Sequence, residues 1–366
     1  MLTIDLITTR AQFASLEAAW TALAERTASP LDSHAWYAAC AESFARDGDL
    51  RMFIARDENG LRAVAPLVKD RSGVLPRLRL LGFQAGEPQA LPHADGEALA
   101  AVCAAVLRTG LALDLPRLPA DSREISALTQ AARGAVLPVL RPGSTAAYRN
   151  PILGDWKSFE AAMSSKQRSE LRRRRKKLEE LGDVAFEASA PTESDFQAPL
   201  EAFFAVEGTG WKRRNGTALV QDPQARAMFE AYARQAARQG RLRLFFLRLD
   251  GRVVAGQLHV QFEDRLWALK IGFDETLAKH APGALLTHEV LRYGCDHDLK
   301  AFEHLGGAEE WQRRWPTEEQ RYSTLRLYPL SASGGAALTA DTLDFVRRRA
   351  RRMRKSPAPA EAARAA

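Results

Sequence analysis

The chain has 366 residues, 46% of them apolar and 27% charged, with a formal net charge of +7. That length exceeds the usual limit of one hydrophobic core, so two domains are expected. No run approaches the roughly 18 uninterrupted apolar residues of a membrane helix, Met1–Trp20 lacks a secretory-signal pattern, and three widely spaced cysteines (Cys40, Cys103, Cys295) exclude a disulfide framework. The positive charge is local. Lys166–Lys177 and Arg347–Lys355 each sum to +7, which leaves −7 for everything else. An acidic body with two basic segments argues against a surface coated for nucleic acid, and reduced thiols suit a cytoplasmic protein.

In chain order, Gln12–Arg26 has helical apolar spacing, and Ser33 caps a second helix through Phe44. Arg51–Val68 is a hairpin turning at Asn59-Gly60. A strand at Leu78–Gly82, a Gly/Pro-punctuated loop, a helix at Glu97–Leu107, a strand at Ala112–Leu115 and a helix at Glu124–Ala132 follow. The alternation predicts an α/β or α+β class. Pro142–Asp155 reads as a loop and divides the chain into 1–150, 151–330 and a basic helix with tail, 331–366.

Ser164–Leu181 reads as a helix closed by Gly182, with Gln167, Leu171, Arg174, Leu178 and Leu181 on one face. A strand (Val184–Ala188) and a helix (Asp195–Val206) lead into a glycine-broken loop, Glu207–Lys212. After a helix at Pro223–Arg238, RLFFLRLDGRVVAGQL repeats the pattern of RMFIARDENGLRAVAPL, which suggests two copies of one fold. Leu266–Phe273 is a largely buried strand, His280-Ala281-Pro282-Gly283 breaks the chain, and a helix starts with Pro282 in its first turn. Ala301–Leu305 is a short strand closed by Gly306-Gly307, Ser323–Tyr328 a closing strand, Thr339–Arg354 a basic helix, and Ser356–Ala366 a low-complexity tail expected to be disordered. Strand, irregular loop and helix start make an anion-binding unit.

The ordered set SSKQRSELRRRRKKLEELGDVAFE, EGTGWKRRNGTAL, RLFFLRLDGRVVAGQL, LKIGFDE, PGALLTHEVL and FEHLGGAEEWQRRW resembles the GNAT acyltransferases associated with cellulose biosynthesis (the CelD-like branch), relatives of the FemAB-type transferases. The likeness covers about Trp156–Tyr328. It implies two tandem GNAT-like domains, the first degenerate, and transfer of an acyl group from acetyl-CoA or another acyl-CoA to an amine. The acceptor is then a small molecule or an envelope- or polysaccharide-linked amine. In such folds the coenzyme runs between two splayed strands, which maps onto Leu269, Lys270, Ile271 and Gly272, with the pyrophosphate at Ala281, Pro282, Gly283, Ala284 and Leu285. The usual Gln/Arg-x-x-Gly-x-Gly/Ala loop is absent, and His280-Ala-Pro-Gly-Ala stands in its place with one glycine. Two rivals are a FemAB-like transferase fed by aminoacyl-tRNA and a non-catalytic adaptor in polysaccharide or envelope biosynthesis.

Acyl transfer needs a neutral amine, whereas a free alkylamine has a pKa of about 10.4, so a carboxylate or histidine must take the proton. The candidate bases are Glu207, Glu303 and Asp274, with His304 beside them. Glu207 reads equally as an ordinary helix-terminal acid, and Glu303 as a solvent-facing edge residue. The oxyanion would take a backbone N–H of Ile271 or Gly272. Trp211, Lys212, Lys270, His304 and Trp315 are candidate acceptor contacts; a tryptophan is more often core, and Lys270 equally forms a salt bridge to Asp274. No tyrosine follows the second strand closely, and Tyr293 and Tyr322 are weak substitutes for an acid. The histidines lack metal spacing, so no metal is expected. Lys166–Lys177 reads most simply as a solvated face, and Arg347–Lys355 as solvated or as a contact with an anionic surface.

Overall fold

The computed structural model describes residues 1–355 apart from 26, 28, 47, 135–138, 210–215 and 217. The first half runs β1 (Thr3–Ile7), α1 (Arg10–Ala14), α2 (Glu17–Ala24), α3 (His34–Phe44), β2 (Leu50–Asp57), β3 (Gly60–Asp70), β4 (Arg77–Leu80), α4 (Gly96–Leu107), β5 (Ala112–Pro119), α5 (Arg123–Gly134), β6 (Val139–Leu140) and β7 (Ser144–Pro151). The second runs α6 (Trp156–Ala161), α7 (Ser165–Glu179), β8 (Val184–Ser189), α8 (Gln197–Glu207), α9 (Pro223–Arg238), β9 (Leu242–Leu249), β10 (Arg252–Phe262), β11 (Arg265–Phe273), α10 (Pro282–Asp296), β12 (Ala301–His304) and β13 (Glu318–Leu327). A final helix, α11, spans Ala332–Lys355. The tail Ser356–Ala366 and the loop residues Trp211 and Lys212 lie outside the described residues.

All the strands join one mixed sheet in the order β1-β2-β3-β4-β5-β13-β7-β12-β11-β10-β9-β8, with β6 beside β13. The pairing is symmetric about its middle. Among the described residues, the parallel pairs on that path are β4–β5 and β11–β12, one in each half. The repeated hairpins, β2–β3 and β9–β10, occupy matching places. Here the structure corrects the reading of Pro142–Asp155 as a loop: residues 144–151 form β7. This strand leaves its own half to pair with β12, while β13 crosses to pair with β5. The two exchanged strands meet antiparallel from Glu318↔Arg149 to Ser323↔Ser144. The exchange explains why the segment lacked an alternating pattern, since its faces are set by strands from both halves.

Local signals hold where a cap is present. Ser33 accepts from the Trp36 N–H at the start of α3, and Ser164 and Gln167 form a capping box on α7. The expected helix over Gln12–Arg26 is instead two, broken at Ser15-Leu16. α9 buries Met228, Phe229, Tyr232, Ala233, Ala236 and Ala237, one apolar stripe. It packs on α3, where Trp36 meets the Tyr232 ring edge-on at 5.0 Å. That face of the sheet carries one core shared by both halves, including Trp20, Trp36, Phe203 and Phe229. The opposite face carries separate cores, one under α4 and α5 and one under α7 and α10. A shared sheet and a shared core hold the halves in fixed relation, which matters because the site lies where they meet.

Candidate active site

The parallel ladder between β11 and β12 lasts only from Arg265↔Ala301 to Ala268↔His304. β11 continues alongside β10 to Phe273↔Ala255, whereas the chain after β12 peels off until the Ala308 N–H bonds the Ala146 carbonyl at 2.8 Å. The resulting splay opens a cavity of about 490 Å³, lined by Leu269–Phe273 on one side and His304–Gly307 on the other.

A β-bulge decides which way these side chains point. Leu258 pairs with Lys270 and His259 with Ala268, so Leu269 is the extra residue on β11. An extra residue inverts the alternation beyond it. Trp267 and Leu269 belong to the shared core, and after the bulge Lys270 and Gly272 turn to that same face, while Phe273 turns to the α10 face. Lys270 Nζ lies 4.6 Å over the Phe229 ring and 2.6 Å from Glu87 Oε1. A Cβ added at Gly272 would stand 2.5 Å from the Glu207 Cα, so only glycine lets the end of α8 pack onto β11 here.

The shared-core face of the splay therefore holds two carboxylates. Glu207, the last residue of α8, is 1% exposed, and its Oε2 accepts the Leu219 N–H at 3.0 Å. Glu87 arrives from the first half. Arg117, itself in the left-handed region at φ 53°, donates to Gly86 O at 2.6 Å and to Leu305 O at 2.7 Å, binding that loop to the rim of the cavity.

The α10 face is cationic. Ala281 adopts φ 50°, a conformation that costs a non-glycine residue about 1 kcal/mol and that its following proline reinforces by excluding the helical region. The Ala284 and Leu285 N–H groups both return to the Ala281 carbonyl, and Pro282 has none, so the Gly283 N–H is the donor the helix leaves for an outside acceptor. Arg314 lines the cavity, its pKa pushed down by burial and then by Arg174. Arg174 donates to the Lys279 carbonyl at 3.1 Å, and His280 is pushed down by burial and then by Lys279 and Lys177. Both ring nitrogens of His280 are buried without a partner among the described residues.

Beneath the splay runs a buried relay. His259 Nε2 and Gln257 Oε1 are 2.9 Å apart, Gln257 donates to Thr287 Oγ1 at 2.8 Å, and Thr287 donates to the Gly283 carbonyl at 3.0 Å. It ties β10 to the first turn of α10. His304 Nε2 meets Asn150 Oδ1 at 2.7 Å, while Asn150 Nδ2 donates to Pro316 O. The amide orientation makes Nε2 the donor and leaves Nδ1 an acceptor. Burial pushes the His304 pKa down to about 3, so this ring is a neutral lining group and a weak base.

Of the residues proposed from sequence, Glu207, Leu269, Lys270, Ile271, Gly272, Ala281, Gly283, Ala284 and His304 line the cavity. Pro282 and Leu285 are buried in the first turn behind them. Asp274 and Glu303 are elsewhere. Asp274 caps the turn at Thr276 and pairs with Arg252 at 2.6 Å, so the expected Lys270–Asp274 bridge gives way to Lys270–Glu87. Glu303, 2% exposed, faces Arg265 at 3.1 Å and Arg149 at 3.7 Å; burial raises its pKa and the two arginines oppose that. Trp315 packs behind the lining and donates to His288 Nδ1 at 3.3 Å. Tyr293 and Tyr322 do not line the cavity. The sequence reading missed Glu87, Arg314 and Gln257. Only Gln257 left a signal there, a lone amide within an apolar strand.

The acetyltransferase (GNAT) domain family matches residues 165–313. Among solved structures, FemX aligns with a TM-score of 0.57 at 11% identity, over 88% of this chain and 96% of its own. A conserved protein of unknown function from Bacteroides thetaiotaomicron VPI-5482 aligns at 0.56 and 12%, over 89% and 100%. The C-terminal domain of a protein provisionally named lysylphosphatidylglycerol synthetase, from Agrobacterium fabrum, aligns at 0.54 and 12%, over 90% and 97%. At such identities the likeness is one of fold. No curated protein matches by sequence. Among the described residues, no helix is long and apolar enough to cross a membrane, and no group of three or more His, Cys, Asp or Glu residues is arranged to hold a metal.

Proposed function

We propose that the chain is an acyl-CoA-dependent N-acyltransferase of the CelD-like branch, using acetyl-CoA as co-substrate and working in the cytoplasm. In this reading 151–330 is the binding copy and 1–150 the silent one. One observation carries it: the bulged, splayed end of β11 joins a cationic helix start on one face to two carboxylates on the other. The pyrophosphate would lie at Ala281–Leu285 near Arg314, and the pantetheine along Leu269–Phe273. The acceptor amine would enter on the Glu207 and Glu87 face. Its nitrogen attacks the thioester carbon, the oxyanion takes a backbone N–H of the 271–272 stretch, Glu207 receives the ammonium proton, and the C–S bond breaks to release the coenzyme as its thiolate. The acceptor in this reading is a small-molecule or envelope-linked amine. A tRNA-fed reaction has less support, because Arg172, Arg173, Arg174 and Arg175 of α7 each face a carboxylate of the chain.

Isothermal titration with acetyl-CoA tests the reading, and no binding by the wild-type chain would end it. Gly283→Asp places a charge at the helix start and is expected to weaken binding by at least about tenfold. Gly283→Ala supplies the steric control, since its Cβ would meet Phe273 Cδ1 at 3.1 Å and the ring must give only slightly. The same titration should return one coenzyme per chain. In the first half, Asp95 already accepts the Ala98 N–H of α4 at 2.9 Å and pairs with Arg62, which holds its carboxyl below the usual range. The Val64 N–H bonds the Pro92 carbonyl and the Ala94 N–H the Arg62 carbonyl, so the loop before α4 takes the edge of β3 where a continued β4 would offer a second coenzyme its strand. Two coenzymes per chain would contradict this account.

A further inference from the structure

We propose that α11 docks the protein onto anionic lipid surfaces. The helix is about 36 Å long at 1.5 Å per residue, and its beginning is fastened to the body. Ala337 is buried, Ser331 and Ser333 donate to the Gly110 carbonyl, and Asp341 receives Arg77 at 3.0 Å and Tyr328 at 2.7 Å. Past that anchor, residues 342–350 are all exposed. Within them Leu343 is 52%, Phe345 59% and Val346 56% exposed. Leu343, Val346 and Ala350 recur at i, i+3 and i+7, one stripe of a helix. Seven basic residues and no acid follow Val346 as far as Lys355.

Each component alone has an ordinary explanation, but their overlap does not. A nucleic-acid backbone would account for the arginines and leave the Leu343 and Val346 stripe in water. A second copy of the helix would cover the stripe while bringing two runs of seven positive charges together. An interface of acyl chains and anionic headgroups meets both needs: apolar side chains sink below the headgroups and arginines meet phosphates at their level. Outside Arg347–Lys355 the chain sums to zero, so this segment carries the whole of its positive excess.

The test is co-sedimentation of the full chain with phosphatidylcholine vesicles and with mixed phosphatidylcholine–phosphatidylglycerol vesicles. Binding is expected only to the mixed vesicles, falling by about tenfold or more in high salt. Leu343→Ser with Val346→Ser should lower it similarly, and so should Arg347→Gln with Arg349→Gln. All four positions are exposed, so thermal unfolding should be unchanged. Failure to bind mixed vesicles would overturn the proposal. So would binding that survives the serine pair and is competed by duplex RNA, which would mark a nucleic-acid contact instead. Neither outcome depends on acyl transfer, so the proposal stands or falls apart from the enzymatic reading.

Discussion

Glu207→Gln is expected to reduce turnover of an amine acceptor by about 10²- to 10⁴-fold while leaving coenzyme binding within about twofold. In the proposed arrangement the substitution removes the proton acceptor while keeping the shape of the side chain. Glutamine keeps an oxygen that can take the Leu219 N–H, now at 3.0 Å from Glu207 Oε2, so the turn after α8 retains its cap. It also keeps the same backbone against Gly272. In the proposed arrangement the coenzyme phosphates lie on the opposite face of the sheet, from Ala281 to Leu285 and near Arg314, so their binding has no reason to change. Thiol release measured against an amine panel, beside a titration of acetyl-CoA, separates the two effects. A variant with wild-type turnover would make Glu207 a buried helix-end cap and move attention to Glu87. Because Glu87 is already paired with Lys270 at 2.6 Å, its loss should alter the acceptor KM before kcat.

The comparison of chain and fold has a physical pattern. β11, the break at His280–Gly283 and the start of α10 were legible because each depends on local chemistry: an apolar run, a proline in a first turn and a glycine beside it. Glu303 was misjudged for a reason equally physical. An acid in an apolar strand must be paired or solvated. Its partners are Arg265 on the neighbouring strand and Arg149 on β7, the segment that read as a loop. Strand exchange hid that pairing, because register between distant segments leaves no period in either. Glu87 was invisible for the same cause, being delivered across the halves by Arg117. The bulge at Leu269 was unreadable as well, although it aims Lys270 and Gly272. It depends on the register of β10 rather than on β11 alone.

Acid should weaken this fold between pH 7 and pH 5, above the range where ordinary carboxylates titrate. Burial pushes His259 and His304 down to about 3 and His288 to about 4, and each is held neutral by its surroundings. A histidine with a depressed folded pKa takes its proton only on unfolding. Its contribution is whole above pH 6.5 and is lost as pH falls toward the folded value, at up to about 1.4 kcal/mol per pH unit. Asp32 acts in the opposite sense: burial, and then Glu124, raises it to about 7, so it binds a proton more readily folded and adds stability as pH falls below 7. Three losses against one gain leave a net decrease on the order of 3 kcal/mol between pH 7 and pH 5. That is a large part of the ~5–15 kcal/mol a folded protein commonly has. Urea unfolding midpoints across that range measure it directly, and His304→Gln should remove about one third of the histidine contribution to the slope. A midpoint that holds constant from pH 7 to pH 5 would mean that these rings reach water in the folded protein. The floor of the splay formed by His304 would then be wet, which would remove the dry lining that a thioester needs beside it.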